Sequence, residues 1–228
     1  MTMLKKILYK IQPFLKETYL KILYSTTPNL IGDRDVEWAF VAGHVGSGPG
    51  RALDFGCGPA SYLGLIAAEA GYDAIAFDLE PVRWFYQHPR LQYLKGDILV
   101  HKFEPRSFDL IINCSSIEHV GLAKRYGVEK TKTDGDLEAM AIMKDILSTK
   151  GRMILTIPAG KDTEFLPLHR VYGAQRLPQL LNGFTVEHKE YWGKDENNKW
   201  VLVSEEIALN KTPTRDLHCL GCFVLEPK

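Results

Sequence analysis

Three aspartates, two glycines and two histidines carry the chemistry this sequence can do. Asp54, Asp78 and Asp97 each fall within or just past a β-rich run: "RALDF", "AIAFD" and "LQYLKG". After the first run comes "GCGPAS", where Gly56 allows a sharp turn and Gly58 leaves room for a ligand to approach the backbone. Asp78, 20 residues after Gly58, sits where a carboxylate accepts hydrogen bonds from the two neighbouring hydroxyls of a ribose. Ser61 stands where G-x-G-x-x-G would have its third glycine, and the turn carries Asp54 and no basic residue. A pyrophosphate is poorly served there. A cation with an amino-acid tail is better served, by acids and backbone carbonyls.

His119 in "IEHVG" and His169 in "PLHRVYG" follow the fourth and fifth β-rich runs. Either could remove a proton from an acceptor hydroxyl, a contribution of about 10²–10⁴-fold. The plainer uses are a pocket-wall residue for His119 and loop packing for His169. Glu118 would orient His119 only if both side chains faced one pocket. Arg34 and Arg170 would suit an anionic acceptor such as a sugar phosphate or a carboxylate. Trp38, Trp84, Phe85 and Tyr86 would offer a ring a stacking surface, or pack in a core. No compact set of Asp or Asn ligands stands out beyond Asn113 and scattered acids, so no metal is expected.

These groups need a scaffold, and the chain has a recognisable one. From Arg51 onward short β-rich runs alternate with helical patterns, the signature of an α/β layered domain with a mainly parallel sheet. Strands are expected at 51–55, 74–78, 91–96, 108–113, 152–158, 184–192, 199–204 and 222–226, the last as an edge strand. Helices are expected at 59–70, at 134–151 with Gly151 as the stop, and at 170–183.

The 228 residues, 45% apolar and 25% charged, suit one soluble domain with a sizeable core. With 28 basic and 28 acidic residues there is no basic excess of the kind nucleic-acid binding uses, and no nucleic-acid partner is expected. No apolar run approaches the roughly 18 residues of a membrane span. Residues 1–30 are expected to form a separate segment ahead of the main domain at 31–228. Its first 23 residues hold five lysines and one glutamate on a helical apolar pattern. Such a helix either lies on an anionic membrane surface, packs over the domain, or packs against a second subunit as in a homodimer. No secretory signal is recognised, so a cytoplasmic location is expected, at most peripheral to the inner membrane face. The four cysteines read as reduced and mostly buried. "CLGC" lies on a strand, where residues three apart face opposite ways and make a poor ligand pair.

Taken in order, "ALDFGCGPAS", "AFDLEP", "KGDI" and "FDLIINCSSIEHVG" resemble the motifs of class I S-adenosylmethionine-dependent methyltransferases. The resemblance covers residues 50–160 and continues in outline through the last strands. It implies a Rossmann-like, doubly wound seven-stranded sheet, mostly parallel with an antiparallel last strand and helices on both faces. It implies S-adenosylmethionine as cofactor. Gly56 and Gly58 would face the methionine portion, with Asp54 bracing the turn. Asp78 would take the ribose hydroxyls and Leu79 would lie against adenine. Asp97 would receive the adenine amino group beside Ile98, and Asn113 to Ser115 would line the reactive end. "GDRDVEWAFV", "SSIEHVGL", "DGDLEAM", "PLHRVYG" and "LGCFVL" resemble, more narrowly, a methyltransferase group associated with surface-polysaccharide biosynthesis. That likeness implies a hydroxyl acceptor on a sugar, glycan precursor or other small molecule. A nicotinamide-dependent oxidoreductase and a non-catalytic cofactor-binding protein are the alternatives.

Overall fold

A computed structural model describes residues 28–59, 61–124, 126 and 128–228. The basic amphipathic segment expected at the N-terminus lies outside them, apart from its last three residues. The first helix among the described residues, α1 (Asp33–His44), follows a left-handed Gly32 and buries Glu37, Phe40 and Val41. Next come β1 (Arg51–Phe55), α2 (Leu63–Glu69), β2 (Asp73–Asp78), β3 (Leu91–Lys95) and β4 (Phe108–Cys114). They are followed by a short 3₁₀ turn (Ile117–His119), α3 (Gly135–Ile146), β5 (Leu147–Ala159), β6 (Thr163–Phe165) and β7 (His169–Val171). The chain ends with α4 (Arg176–Leu180), β8 (Phe184–Lys194), β9 (Trp200–Val203), α5 (Glu205–Asn210) and β10 (Cys219–Pro227).

The main sheet runs β3-β2-β1-β4-β5-β10-β8-β9. β1 pairs in parallel with β2 on one side and β4 on the other. The chain therefore leaves β1 towards one edge and returns on the opposite side at β4. A crevice opens at such a reversal, beyond the carboxyl ends of the strands. Alternate strand residues feed two apolar layers, as period-two side-chain direction requires. Leu53, Ile111, Leu155 and Phe223 join the layer under α3 and α4. Ala52, Leu110, Ile112 and Cys222 join the one under α1 and α2. Cys219 and Cys222 fall in different layers, as expected of residues three apart on a strand.

Four details depart from the sequence reading. The sheet has eight strands, because β9 folds back antiparallel on β8 and extends it by one. β10 is antiparallel as expected, yet it lies inside the sheet between β5 and β8. α3 stops at Ile146, because Leu147 is already extended and pairs with Phe108. Gly151 is not a helix stop but sits at an irregularity in that pairing, where a side chain would meet Leu147 Cδ1 at 2.8 Å and the Phe108 carbonyl at 3.0 Å. The helix expected over 170–183 shrinks to Arg176–Leu180. His169–Val171 pairs with Thr163–Phe165 instead, and the Asp162 carboxylate accepts the N–H groups of Gly173, Gln175 and Arg176 ahead of α4.

Candidate active site

A cavity of about 520 Å³ opens at the carboxyl ends of β1 to β4. Its floor is the turn after β1. Gly56 has φ 67° and Gly58 φ 56°, backbone states that glycine adopts without penalty. The two glycines serve different ends. A Cβ at Gly56 would meet Ser116 Oγ at 2.3 Å, so this position is closed by internal packing. A Cβ at Gly58 would meet only the Gly56 carbonyl, at 4.0 Å, so there the backbone is open to a ligand.

The acids around this turn are anchored by backbone groups close in the chain. Asp78 accepts the Gly58 N–H through Oδ2 and the Glu80 N–H through Oδ1, both at 2.9 Å. A carboxylate has about four lone-pair sites, so it keeps capacity for ligand hydroxyls. Asp97 accepts the Leu99 N–H at 2.9 Å and stands beside buried Ile98. Asp54 is buried and accepts the Gly64 N–H at 2.8 Å. Burial pushes its carboxyl up to about 7, against the pull of that hydrogen bond, with Asp78 adding repulsion. The start of α2, where a dinucleotide would seat its pyrophosphate, is thus already held by a carboxylate.

The opposite wall comes from α1 and from the chain beyond β4. Glu37 is fully buried in α1. It accepts from Arg34 Nη1 at 2.6 Å, from Thr156 Oγ1 at 2.8 Å, and from the Ser115 hydroxyl in a short contact. Burial pushes the Glu37 carboxyl up, and Arg34 with the two hydroxyls draws it partly back. Ser115 has φ 43°, and it lines the cavity along with Cys114. Burial raises the Cys57 and Cys114 thiols, so both stay neutral and neither is a nucleophile.

His119 also lines the cavity. Its Nδ1 lies 2.7 Å from the Leu168 carbonyl. A carbonyl only accepts, so Nδ1 carries the proton and Nε2 is the basic nitrogen. Nε2 stands 3.6 Å from Glu118 Oε1, a counter-charge for the imidazolium. The two side chains meet, but Glu118 is buried behind the cavity wall and only His119 faces the pocket.

Of the residues singled out from sequence, Asp54, Gly56, Gly58, Asp78, Leu79, Asp97, Ile98, Ser115 and His119 come together around the cavity. Asn113 does not line it. It is buried on the other face of β4, with Nδ2 near Met140 Sδ at 3.9 Å and Met143 Sδ at 3.8 Å. His169 is also elsewhere, packed beside Phe165 and His218 with ring centroids 5.5 Å away in each case. Arg170 is buried and gives its N–H groups to the Val120 carbonyl at 2.6 Å, the Thr133 carbonyl at 3.1 Å and Glu164 at 3.1 Å. It ties Val120 to Thr133 and does not reach the cavity lining. Among the described residues no group of three or more His, Cys, Asp or Glu side chains could hold a metal ion, and no helix is long and apolar enough to cross a membrane.

The sequence reading missed Glu37, Thr156, Tyr126, Lys130 and Lys132. Glu37 had left a signal: it occupies position i with Phe40 and Val41 at i+3 and i+4, an acid on the apolar stripe of a helix. The lysines had none, being two among many.

A family model described as Caenorhabditis protein of unknown function, DUF268, matches residues 91–220. The chain belongs to the DUF268 family. No curated protein matches its sequence. Among solved structures, the N-methyltransferase NodS from Bradyrhizobium japonicum, in complex with S-adenosylhomocysteine, is similar with a TM-score of 0.57 at 15% identity, over 87% of this chain and 89% of that one. The 1,6-didemethyltoxoflavin-N1-methyltransferase of Burkholderia thailandensis, with 1,6-didemethyltoxoflavin and S-adenosylhomocysteine bound, gives a TM-score of 0.53 at 18% identity, over 83% of this chain and 76% of that one. The [4+2]-cyclase SpnF gives 0.51 at 15% identity, over 69% and 60%. At these identities the likeness establishes the Rossmann-like methyltransferase fold of this DUF268 chain.

Proposed function

We propose that this chain is an S-adenosylmethionine-dependent methyltransferase acting on a hydroxyl of a sugar, glycan precursor or other small molecule. The observation that carries the reading is the floor of the cavity. A glycine turn open at Gly58 faces three carboxylates, and α2's first turn already holds Asp54. Two methyltransferases of similar fold have S-adenosylhomocysteine bound. A nicotinamide dinucleotide would have to displace Asp54 to seat its phosphates, and nothing offsets that cost.

S-adenosylmethionine supplies a methyl group activated on a sulfonium sulfur. Asp78 would accept the ribose hydroxyls, with Leu79 and Ile98 flanking the adenine and Asp97 taking its amino group. Gly56 and Gly58 would let the methionine portion lie against the backbone. Ser115 and Cys114 would border the reactive end. As the acceptor oxygen attacks in line, His119 Nε2 would take its proton and Glu118 would stabilise the resulting imidazolium. The cavity walls would hold the reactants in register.

Calorimetry with S-adenosylmethionine and S-adenosylhomocysteine tests the first half: micromolar binding of both is expected, and absence of both would defeat the reading. A cofactor-turnover screen over nucleotide sugars, glycan fragments and small phenols tests the second. There His119→Gln is expected to lower turnover about 10²–10⁴-fold with S-adenosylhomocysteine binding intact.

A further inference from the structure

The charges that line the cavity are sorted by sign. The acids, Asp54, Asp78, Glu80 and Asp97, all stand on the β1–β3 side. The permanent cations, Arg34, Lys130 and Lys132, all stand on the side of α1 and the segment after β4. Arg34 is fixed by Glu37, which takes Nη1 and leaves the rest of the guanidinium fork for the cavity. Lys132 pairs with Glu138 outside the lining, both side chains half exposed, a contact that solvent weakens. Lys130 has no carboxylate partner among the described residues. Glu37 and Glu118 lie behind this wall, so every formal charge presented on this side is positive.

Resting on the methyltransferase reading, we propose that this cationic wall, Arg34 with Lys130 and Lys132, binds a phosphate group carried by the methyl acceptor. A methyl donor of this kind brings one carboxylate, which a single guanidinium fork can satisfy. Three cations from two unconnected segments exceed that need. Lysines are point charges on flexible stems, suited to a tetrahedral anion with several oxygens, whereas a lone planar carboxylate favours one bidentate arginine. The phosphate would anchor the acceptor beside Trp38 and Tyr126, which also line this side, and bring its hydroxyl towards His119.

Isothermal titration of the full chain at fixed ionic strength tests this, with inorganic phosphate as probe and acetate as its comparison, in the presence and absence of S-adenosylhomocysteine. Saturable phosphate binding to the loaded protein is expected, with acetate about tenfold weaker or more. Lys130→Glu combined with Lys132→Glu, both at half-exposed or exposed positions, should weaken phosphate about tenfold or more and leave S-adenosylhomocysteine affinity unchanged. Arg34→Lys, which keeps a positive charge beside Glu37, should weaken it several-fold through loss of the fork. No saturable phosphate binding, equal affinity in the lysine variant, or acetate bound as well as phosphate would each overturn the proposal. So would exclusion of phosphate by S-adenosylhomocysteine, which would assign the cations to that molecule's own carboxylate. Phosphate binding that needs the lysines, without any S-adenosylhomocysteine binding, would keep the anion site and defeat the methyl-donor reading alone.

Discussion

The acidic and cationic halves of the cavity are held together over different distances along the chain. On the acidic side Asp54 reaches Gly64, 10 residues on, and Asp78 reaches back 20 residues to Gly58. Each is a carboxylate on a backbone N–H within one strand–turn–helix–strand unit. On the cationic side Ser115 and Thr156 meet Glu37 across 78 and 119 residues, side chain to side chain. The first half is a local motif. The second exists only once α1, β4 and β5 have packed, so its geometry depends on the stability of the whole sheet.

Three measurements would break or sharpen this contrast. The largest effect is expected from Arg34→Met, which leaves the buried Glu37 carboxylate without its counter-charge. Removing one partner of a buried pair costs about 3–5 kcal/mol, and partial exposure of Arg34 places this case at about 3. Urea unfolding should show the loss; a change below about 1 kcal/mol would mean the two hydroxyls alone hold Glu37. Asp78→Asn comes next, weakening S-adenosylhomocysteine about 30-fold through loss of charge-assisted hydrogen bonds, with unfolding shifted much less. If stability fell as far as affinity, the acidic half would not be the self-contained unit described.

The smallest effect is pH-dependent and belongs to Asp54. Its folded pKa, about 7, lies above the ordinary carboxylate value near 4. Between these values the folded chain binds more protons than the unfolded one, so this group's contribution to stability falls as pH rises from about 4 through about 7. A positively charged ligand prefers the ionised form. S-adenosylmethionine affinity should therefore increase up to about tenfold from pH 6 to pH 8, with proton release, and Asp54→Asn should flatten the profile. An unchanged profile in the variant would place the titration elsewhere.

The same contrast explains what could be read from the residues alone. β1, the glycine turn and Asp78 were legible because turn chemistry and strand alternation are local rules. Most residues expected at the site do surround the cavity, whereas Asn113 and His169 do not. Asn113 failed for a local reason: side chains alternate along β4, and a strand end gives no hint which of Asn113 and Cys114 faces inward. His169 and Arg170 failed for a non-local one. The β6–β7 hairpin pulls them away from the strand ends, and Arg170 is consumed by the Val120 and Thr133 carbonyls. The short α4 was hidden likewise, since its start is set by Asp162 from another segment.

Strand β10 has a consequence for how the molecule is made. It follows every other strand in the chain yet lies between β5 and β8. During synthesis the parallel block β3-β2-β1-β4-β5 can assemble ahead of it, while the β8–β9 hairpin has no permanent neighbour to hold. Until the final strand slides into place, β5 and β8 each present a bare edge to other chains. The order of residues thus exposes the nascent protein to mispairing for as long as residues 204–227 remain unmade.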